Sequence, residues 1–303
     1  MEQGILVHRA LEGYVKERIA EGAGLEPDLT QLRWHFELAC GAAEARGVTG
    51  RSVLWRHQRD ELWRHLQDFV VQDARRSQDE GSFPLATELR FGFQGATVEP
   101  IEVGIGGDRT LRFRGSADRV DRAGDGHLVV TDYKYSSTYK YRGLGQDEPT
   151  AAGSLLQLPI YGLAAQAVFD AGKLPLPVTA RYAFVKPDPT RGSLPAPATL
   201  EIDAPLLERW SETLTVIADG IEGGVFVARP GDDTRFAGFV NCRACDPDGL
   251  GTADLQRRWD RKQRSPELAA YLRLLGAEPD DDADDPEGAD IASVAGGEEA
   301  DGG

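Results

Sequence analysis

The sequence predicts an α/β fold, a central sheet flanked by helices with extra helices ahead of it. Three observations predict it. Apolar residues recur at helical spacing up to about Arg76. The period then shortens to β-type runs that culminate in HLVVTDYK, His127 to Lys134. After that, a helical pattern and a further strand alternate, as layered α/β domains do.

Met1 to about Ala20 reads as a helix whose apolar positions are Leu6, Val7, Ala10, Leu11 and Tyr14. Gln31 to Arg46 and Ser52 to Arg76 read as two more, with Trp55, Leu62, Leu66 and Phe69 on the buried face of the second. Leu85 to Phe93 and Leu111 to Asp118 are β-type, the latter interrupted at Arg114-Gly115. The turn-rich DRAGDG, Asp121 to Gly126, links it to the strand His127 to Lys134. Ser154 to Phe169 is a helix, Val178 to Lys186 a strand, and Pro187 to Pro197 a loop. Thr199 to Ile202 reads as a strand, Pro205 to Glu222 as a helix, and Arg257 to Leu275 as a final helical element. The expected organisation is an N-terminal helical part (1–80), a core with a C-terminal helical part (81–276), and a disordered acidic tail (277–303).

At 303 residues the chain can bury a sizeable core. It has no run of 18 apolar residues and no signal-peptide pattern at its start, so a cytoplasmic protein without membrane contact is expected. Three cysteines argue against a disulfide scaffold. The net charge of −16 is unevenly spread: Glu278 to Gly303 holds 11 acidic residues and no Lys or Arg, and the remainder carries 39 acidic against 34 basic residues, a net of −5. A mildly acidic body weakens a nucleic-acid reading without excluding it, because a metal site itself collects carboxylates.

The chemistry-bearing segments are GSADRVD, Gly115 to Asp121, and TDYK, Thr131 to Lys134. Residues two apart on a strand share a face, so Asp132 and Lys134 project together. Asp118, expected at the end of the preceding strand, lies within reach across the pair. Two carboxylates can hold a hard divalent ion, which activates water against a phosphodiester, and a lysine can orient that water or stabilise developing charge. The competing reading is a surface strand pair that merely ends in charged residues. No G-x-x-x-x-G-K-[ST] occurs, so nothing suggests a motor in this chain.

In this order, the motifs resemble the RecB-like branch of the PD-(D/E)XK nucleases, including the RecB and AddB nuclease domains. Gly4 to His8 resembles the helical G-x-x-x-H, Glu88 in ELRF an acidic strand residue, and Gly115 to Asp121 the G-x-x-D-R-x-D segment. Asp132-Tyr133-Lys134 resembles D-Y-K, Gln157 to Tyr161 resembles Q-x-x-x-Y, and Ile221 to Pro230 the stretch before the C-terminal cysteines. The resemblance implies a restriction-endonuclease-like core with a mixed sheet. It implies a Mg²⁺- or Mn²⁺-dependent nuclease acting on DNA, an exonuclease on single strands or ends, in repair or recombination with a separate helicase. It further implies His8, Asp118, Asp132 and the Tyr133 carbonyl as metal ligands and Lys134 as the catalytic lysine. Gln157 and Tyr161, four apart and so on one helical face, would line the site, and Glu88 would be structural or lie near the DNA backbone. The alternative is a nuclease fold without turnover that holds DNA or docks a subunit.

Many such proteins hold an iron–sulfur cluster on four cysteines. Here Cys242 and Cys245 match two, Gly251 stands where the third is expected, only Met1 to Gln3 precede the first motif, and Cys40 lies downstream of it. An iron–sulfur cluster is therefore not expected. The start so close to a motif leads to the expectation of a truncated or mis-started chain. Packing of Trp210, Phe226, Phe239 and Trp259 is expected to do the work of the cluster.

Overall fold

The computed structural model describes residues 2–96, 98–170, 175–227, 229–231, 241 and 255–276. Cys242, Cys245, Gly251, Phe239 and the acidic segment from 277 onward lie outside them. The chain divides into two compact units, Met1–Gly224 and Val225–Gly303.

In the first unit, three helices open the chain: α1 (Glu2–Ala20), α2 (Leu29–Ala45) and α3 (Ser52–Glu80). Asp28 caps α2 by accepting from the Thr30 and Gln31 N–H groups, and Gly81, with φ 59°, ends α3 in the left-handed conformation. The sheet strands follow: β1 (Phe83–Phe91), β2 (Ile101–Gly104), β3 (Thr110–Phe113), β4 (Gly115–Arg122) and β5 (Leu128–Lys134). Then come α4 (Gln157–Phe169), β6 (Val178–Phe184), β7 (Ala198–Glu201) and α5 (Ala204–Glu222).

Five strands form one mixed sheet in the order β1-β4-β5-β6-β7. The β5–β6 pair is parallel and the other three are antiparallel. A parallel pair needs a crossover, and α4 supplies it. Strand alternation gives the sheet two apolar faces. Tyr133, Ala183 and Val185 pack with Leu6, Val7, Leu11, Leu62, Leu66 and Phe69 of the first three helices. Val120, Leu128, Val130, Ala180 and Tyr182 pack with Leu158 and Ala165 of α4. Trp210 and Leu214 of α5 join Phe91 and Ile105 in a third cluster. The expected fold class, a mixed sheet flanked by helices with extra N-terminal helices, is the one found.

The structure corrects several boundaries. Leu111 to Asp118 is not one strand: the break at Arg114 separates β3, paired with β2 in a two-stranded sheet, from β4, which runs on to Arg122. Asp118 is therefore mid-strand rather than at a strand end. The helix expected from Ser154 begins at Gln157, because Thr150 to Ser154 form a turn with Ala151 and Ala152 at φ 45° and 54°.

In the second unit, the expected single helix is two pieces, α6 (Leu255–Lys262) and α7 (Ala269–Leu274), broken where Pro266 cannot continue a helix. Phe226 is 79% exposed, so it does not serve as packing material. Among the described residues no helix is long and apolar enough to cross a membrane.

Candidate functional site

The β4–β5 ladder pairs Arg122 with Leu128 through to Arg119 with Thr131, and there it stops. Beyond that point a side chain takes over the backbone's role: Asp118 Oδ2 accepts the Tyr133 N–H at 2.7 Å. The strands thus separate at the level where Asp118 and Asp132 face each other. From β5, Asp132 is buried and its Oδ2 sits 2.7 Å from Lys134 Nζ. Apart from that ion contact, Asp132 Oδ2 is buried without a hydrogen-bond partner among the described residues. From α1, His8 Nδ1 reaches to 3.3 Å from Asp118 Oδ1. From the first turn of α4, Gln157 Oε1 accepts from Lys134 Nζ at 3.3 Å, and Gln157 Nε2 donates to the Tyr161 hydroxyl at 3.0 Å. The Lys134 ammonium also lies 5.1 Å from the centroid of the Tyr182 ring.

The structure therefore brings His8, Asp118, Asp132, Lys134, Gln157 and Tyr161 into one contact network. The Tyr133 ring packs edge-on to Phe69 at 5.6 Å and edge-on to His8 at 6.1 Å, so it braces the imidazole from the helical side, while its backbone N–H is the group that Asp118 holds.

Glu88 joins the cluster through a distorted backbone. In β1, Thr87 pairs with Arg119 and Leu89 with Ala117, leaving Glu88 opposite Asp118 at φ 50°, a conformation uncommon outside glycine. Thr87 Oγ1 donates to the Asp118 carbonyl at 3.0 Å, and Ser116 Oγ donates to Glu88 Oε2 at 2.7 Å. Gly115 is required by the packing: a Cβ there would lie 2.8 Å from Phe91 Cζ and 3.5 Å from Tyr161 Cε1.

The titrations follow from crowding acids in a place poor in water. Burial, aided by Asp118 and opposed by Lys134 and His8, pushes Asp132 up to about 7. Burial also raises Glu88, with the Ser116 hydrogen bond opposing and Asp118 and Glu12 adding to it. Burial pulls His8 down, but its bond to Asp118 and the charges of Asp118 and Asp132 outweigh this and leave it raised. Burial raises Tyr161, again with help from the two aspartates.

Two groups of residues were missed in the sequence. Glu12 lies one turn beyond His8 on α1, and its charge is felt at Glu88. Behind the sheet, Arg119 is fully buried. It donates to Asp73 Oδ2 at 2.5 Å, Asp121 Oδ2 at 2.9 Å and the Tyr133 hydroxyl at 3.1 Å. A carboxylate standing in the apolar stripe Leu66, Phe69, Val70, Asp73, Ala74 was the available signal. Cys40 is buried in α2 with its thiol pushed up to about 12 by burial, as suits an inert packing residue. A groove of about 870 Å³ lies elsewhere, between α3 and the loop after β6, and includes Arg64, His65 and Lys186.

Two carboxylates, an imidazole and a backbone carbonyl suit a hard divalent cation, and the buried Asp132 Oδ2, whose one ion-pair partner among the described residues is the Lys134 ammonium, is the kind of atom a cation would satisfy. The donors are nonetheless engaged with one another, Asp118 with His8 and Asp132 with Lys134. Among the described residues no three His, Cys, Asp or Glu side chains stand as a ready-made ligand set. Metal binding at this place requires those pairings to be exchanged.

A mixed sheet between helical layers, carrying two carboxylates and a lysine on adjacent strands, has the restriction-endonuclease-like form. The family model of the PD-(D/E)XK nuclease superfamily matches residues 1–248, and the chain belongs to that superfamily. Its members usually use Mg²⁺ or Mn²⁺. Comparison with curated proteins finds no match.

Proposed function

We propose that the protein is a RecB/AddB-like, Mg²⁺- or Mn²⁺-dependent deoxyribonuclease, cytoplasmic, acting as an exonuclease on single strands or ends. In this reading it works in repair or recombination beside a separate helicase. The observation that carries the proposal is the meeting of Asp118 and Asp132 from neighbouring strands with Lys134 and His8 at the point where the β4–β5 ladder ends. Asp118, Asp132, His8 and the Tyr133 carbonyl would hold the cation. When bound, it supplies charge neutralisation at the scissile phosphate and an attacking water that is easier to deprotonate.

The remaining chemistry belongs to the chain. Lys134, held between Asp132 and Gln157, is aimed to bond the attacking water or an equatorial phosphoryl oxygen as negative charge builds there. Tyr161 steadies Gln157. Glu88, raised by burial and fixed by Ser116, sets the local charge beside Asp118. A second reading, a DNA-holding module without turnover, is favoured by the internal pairing of the proposed ligands' side chains and the lack of a ready-made triad among the described residues.

One assay decides between the two. Labelled single- and double-stranded DNA is incubated with the protein and Mg²⁺ or Mn²⁺, beside Asp132→Ala and Lys134→Ala. Metal-dependent cleavage lost in both variants is the expected result. Binding without cleavage by the parent protein would leave the holding module.

A further inference from the structure

The acidic cluster is flanked on both sides by cations that have no acidic partner among the described residues. On the β1/β4 side, the Arg90 and Arg114 guanidinium carbons lie 4.8 and 5.7 Å from the centroid of the same ring, Phe93. Both arginines are exposed, and among the described residues neither forms an ion pair. They stand at the same end of the sheet as Lys134: Arg90 pairs with Ser116 across β1 and β4, and Ser116 holds Glu88. On the β6 side, the short turn Tyr139–Tyr141 carries a second cluster. Arg142 lies 5.2 Å from the ring of Tyr139, which is 65% exposed, and Lys140 lies 4.9 Å from that of Tyr141. Lys140 and Arg142 are exposed and likewise form no ion pair among the described residues. Tyr141 anchors the turn on Tyr182 and Phe184 at 4.9 and 5.1 Å, and Tyr182 is the ring beneath the Lys134 ammonium.

Read across the strands, the order is cations with an aromatic ring, then the carboxylates and Lys134, then aromatic rings with cations again. From β1 to β6 is three inter-strand spacings, about 14 Å. We propose that the two clusters are the two sides of a single-stranded DNA track crossing the sheet end, with the phosphate to be cut at Lys134. Carboxylates at the centre repel a polyanion, so a substrate needs cations on either side to be held there at all. Arginine beside an aromatic ring is suited to phosphates and to the faces of unpaired bases together, which a duplex keeps hidden. The groove beside α3 is a poorer track, because Glu61, Asp68 and Asp188 line it along with Arg64, Arg75 and Lys186.

The proposal rests on the nuclease reading for its substrate, but its test does not need turnover. The full chain is titrated into a fluorescent 15-nucleotide oligo-dT in EDTA, over a range of salt, by anisotropy. Arg90→Ala/Arg114→Ala and Lys140→Ala/Arg142→Ala are each expected to weaken binding about tenfold and to flatten the log K against log salt slope by about 1.4, at about 0.7 for each phosphate contact. Tyr139→Ala is expected to weaken binding with the slope kept, since stacking releases no counterion. Thermal melts matching the parent's show that the variants fold. Single Arg90→Gln and Arg114→Gln proteins, each with half the slope change, replace any double variant that does not. Parental affinity and slope in either double variant overturns the track, as does a parent that binds no oligo-dT at low salt or an equal loss on a duplex of the same length. A parent that binds through both clusters yet cuts nothing with Mg²⁺ or Mn²⁺ instead sinks the nuclease reading and leaves the track.

Discussion

Asp73 and Arg119 meet inside the protein as a buried ion pair, α3 to β4, with 2.5 Å between Asp73 Oδ2 and the guanidinium. Arg119 is the next residue to Asp118, and its third contact is the hydroxyl of Tyr133, which sits between Asp132 and Lys134. The strands that carry the acids are thereby fastened from behind to the helical layer. Burial raises Asp73, but the Arg119 charge and hydrogen bond outweigh it and hold the carboxyl below its ordinary value. A depressed carboxyl contributes stability that is complete above the ordinary value, near 3.8, and fades as pH falls through the folded-state value. Asp73→Asn should therefore cost about 3 kcal/mol at pH 7, the cost of breaking a buried pair. The difference between variant and parent should shrink towards pH 3. Urea unfolding at the two pH values checks this, and a gap that is the same at both rejects it.

Lys134→Ala should slow metal-dependent cleavage by about 100-fold or more, the effect of removing one donor aimed at developing charge. Single-turnover rates at saturating DNA measure it. Oligonucleotide affinity is expected to change much less than the rate if, as proposed, the ammonium acts at the reacting phosphate.

Gly115→Ala should destabilise by about 1–3 kcal/mol, the usual cost of overpacking. Phe91 is fully buried and has nowhere to retreat from the new methyl group. The same methyl group presses towards Tyr161, so cleavage should fall as well. Denaturant midpoints and initial rates on one preparation test both parts.

Deleting residues 278–303, which carry 11 acidic residues and no Lys or Arg, should tighten DNA binding at low salt. The gain should vanish as salt screens the repulsion. Equal affinity of the full and shortened chains at every salt concentration would sink this prediction.

Long elements with a strong period were legible in the sequence. The apolar positions read for α1 and for α3 are the buried ones, because those faces have no other way to leave water. Short elements were not. Ile101–Gly104 is a four-residue strand beside Pro100 whose pairing comes from the equally short Thr110–Phe113, so neither carries a local signal of its own. That His8, Asp118, Asp132, Lys134, Gln157 and Tyr161 belong together could be expected from spacing and resemblance, whereas how they engage one another could not. That Asp118 bonds a backbone N–H of the neighbouring strand depends on where the ladder stops, and the unusual backbone at Glu88 is imposed by the strands around it. Asp73 was hidden for a different reason: its partner Arg119 is 46 residues away, and only the fold reveals that a carboxylate in an apolar stripe is satisfied.

The parts of the site sit at very different separations along the chain. Asp118, Asp132 and Lys134 belong to one hairpin, and the bond from Asp118 to Tyr133 spans 15 residues. Gln157 is 23 residues from Lys134, and His8 precedes the whole hairpin by more than half the length of α1 through β4. Because closing a longer loop costs more entropy, the hairpin is expected to close ahead of the α1 contact, bringing its two acids together with Lys134 as their nearby cation before the imidazole docks. On that order Lys134 would be the first counter-charge of the acid pair during refolding, an expectation that slower refolding of Lys134→Ala than of His8→Ala would bear out and equal rates would reject.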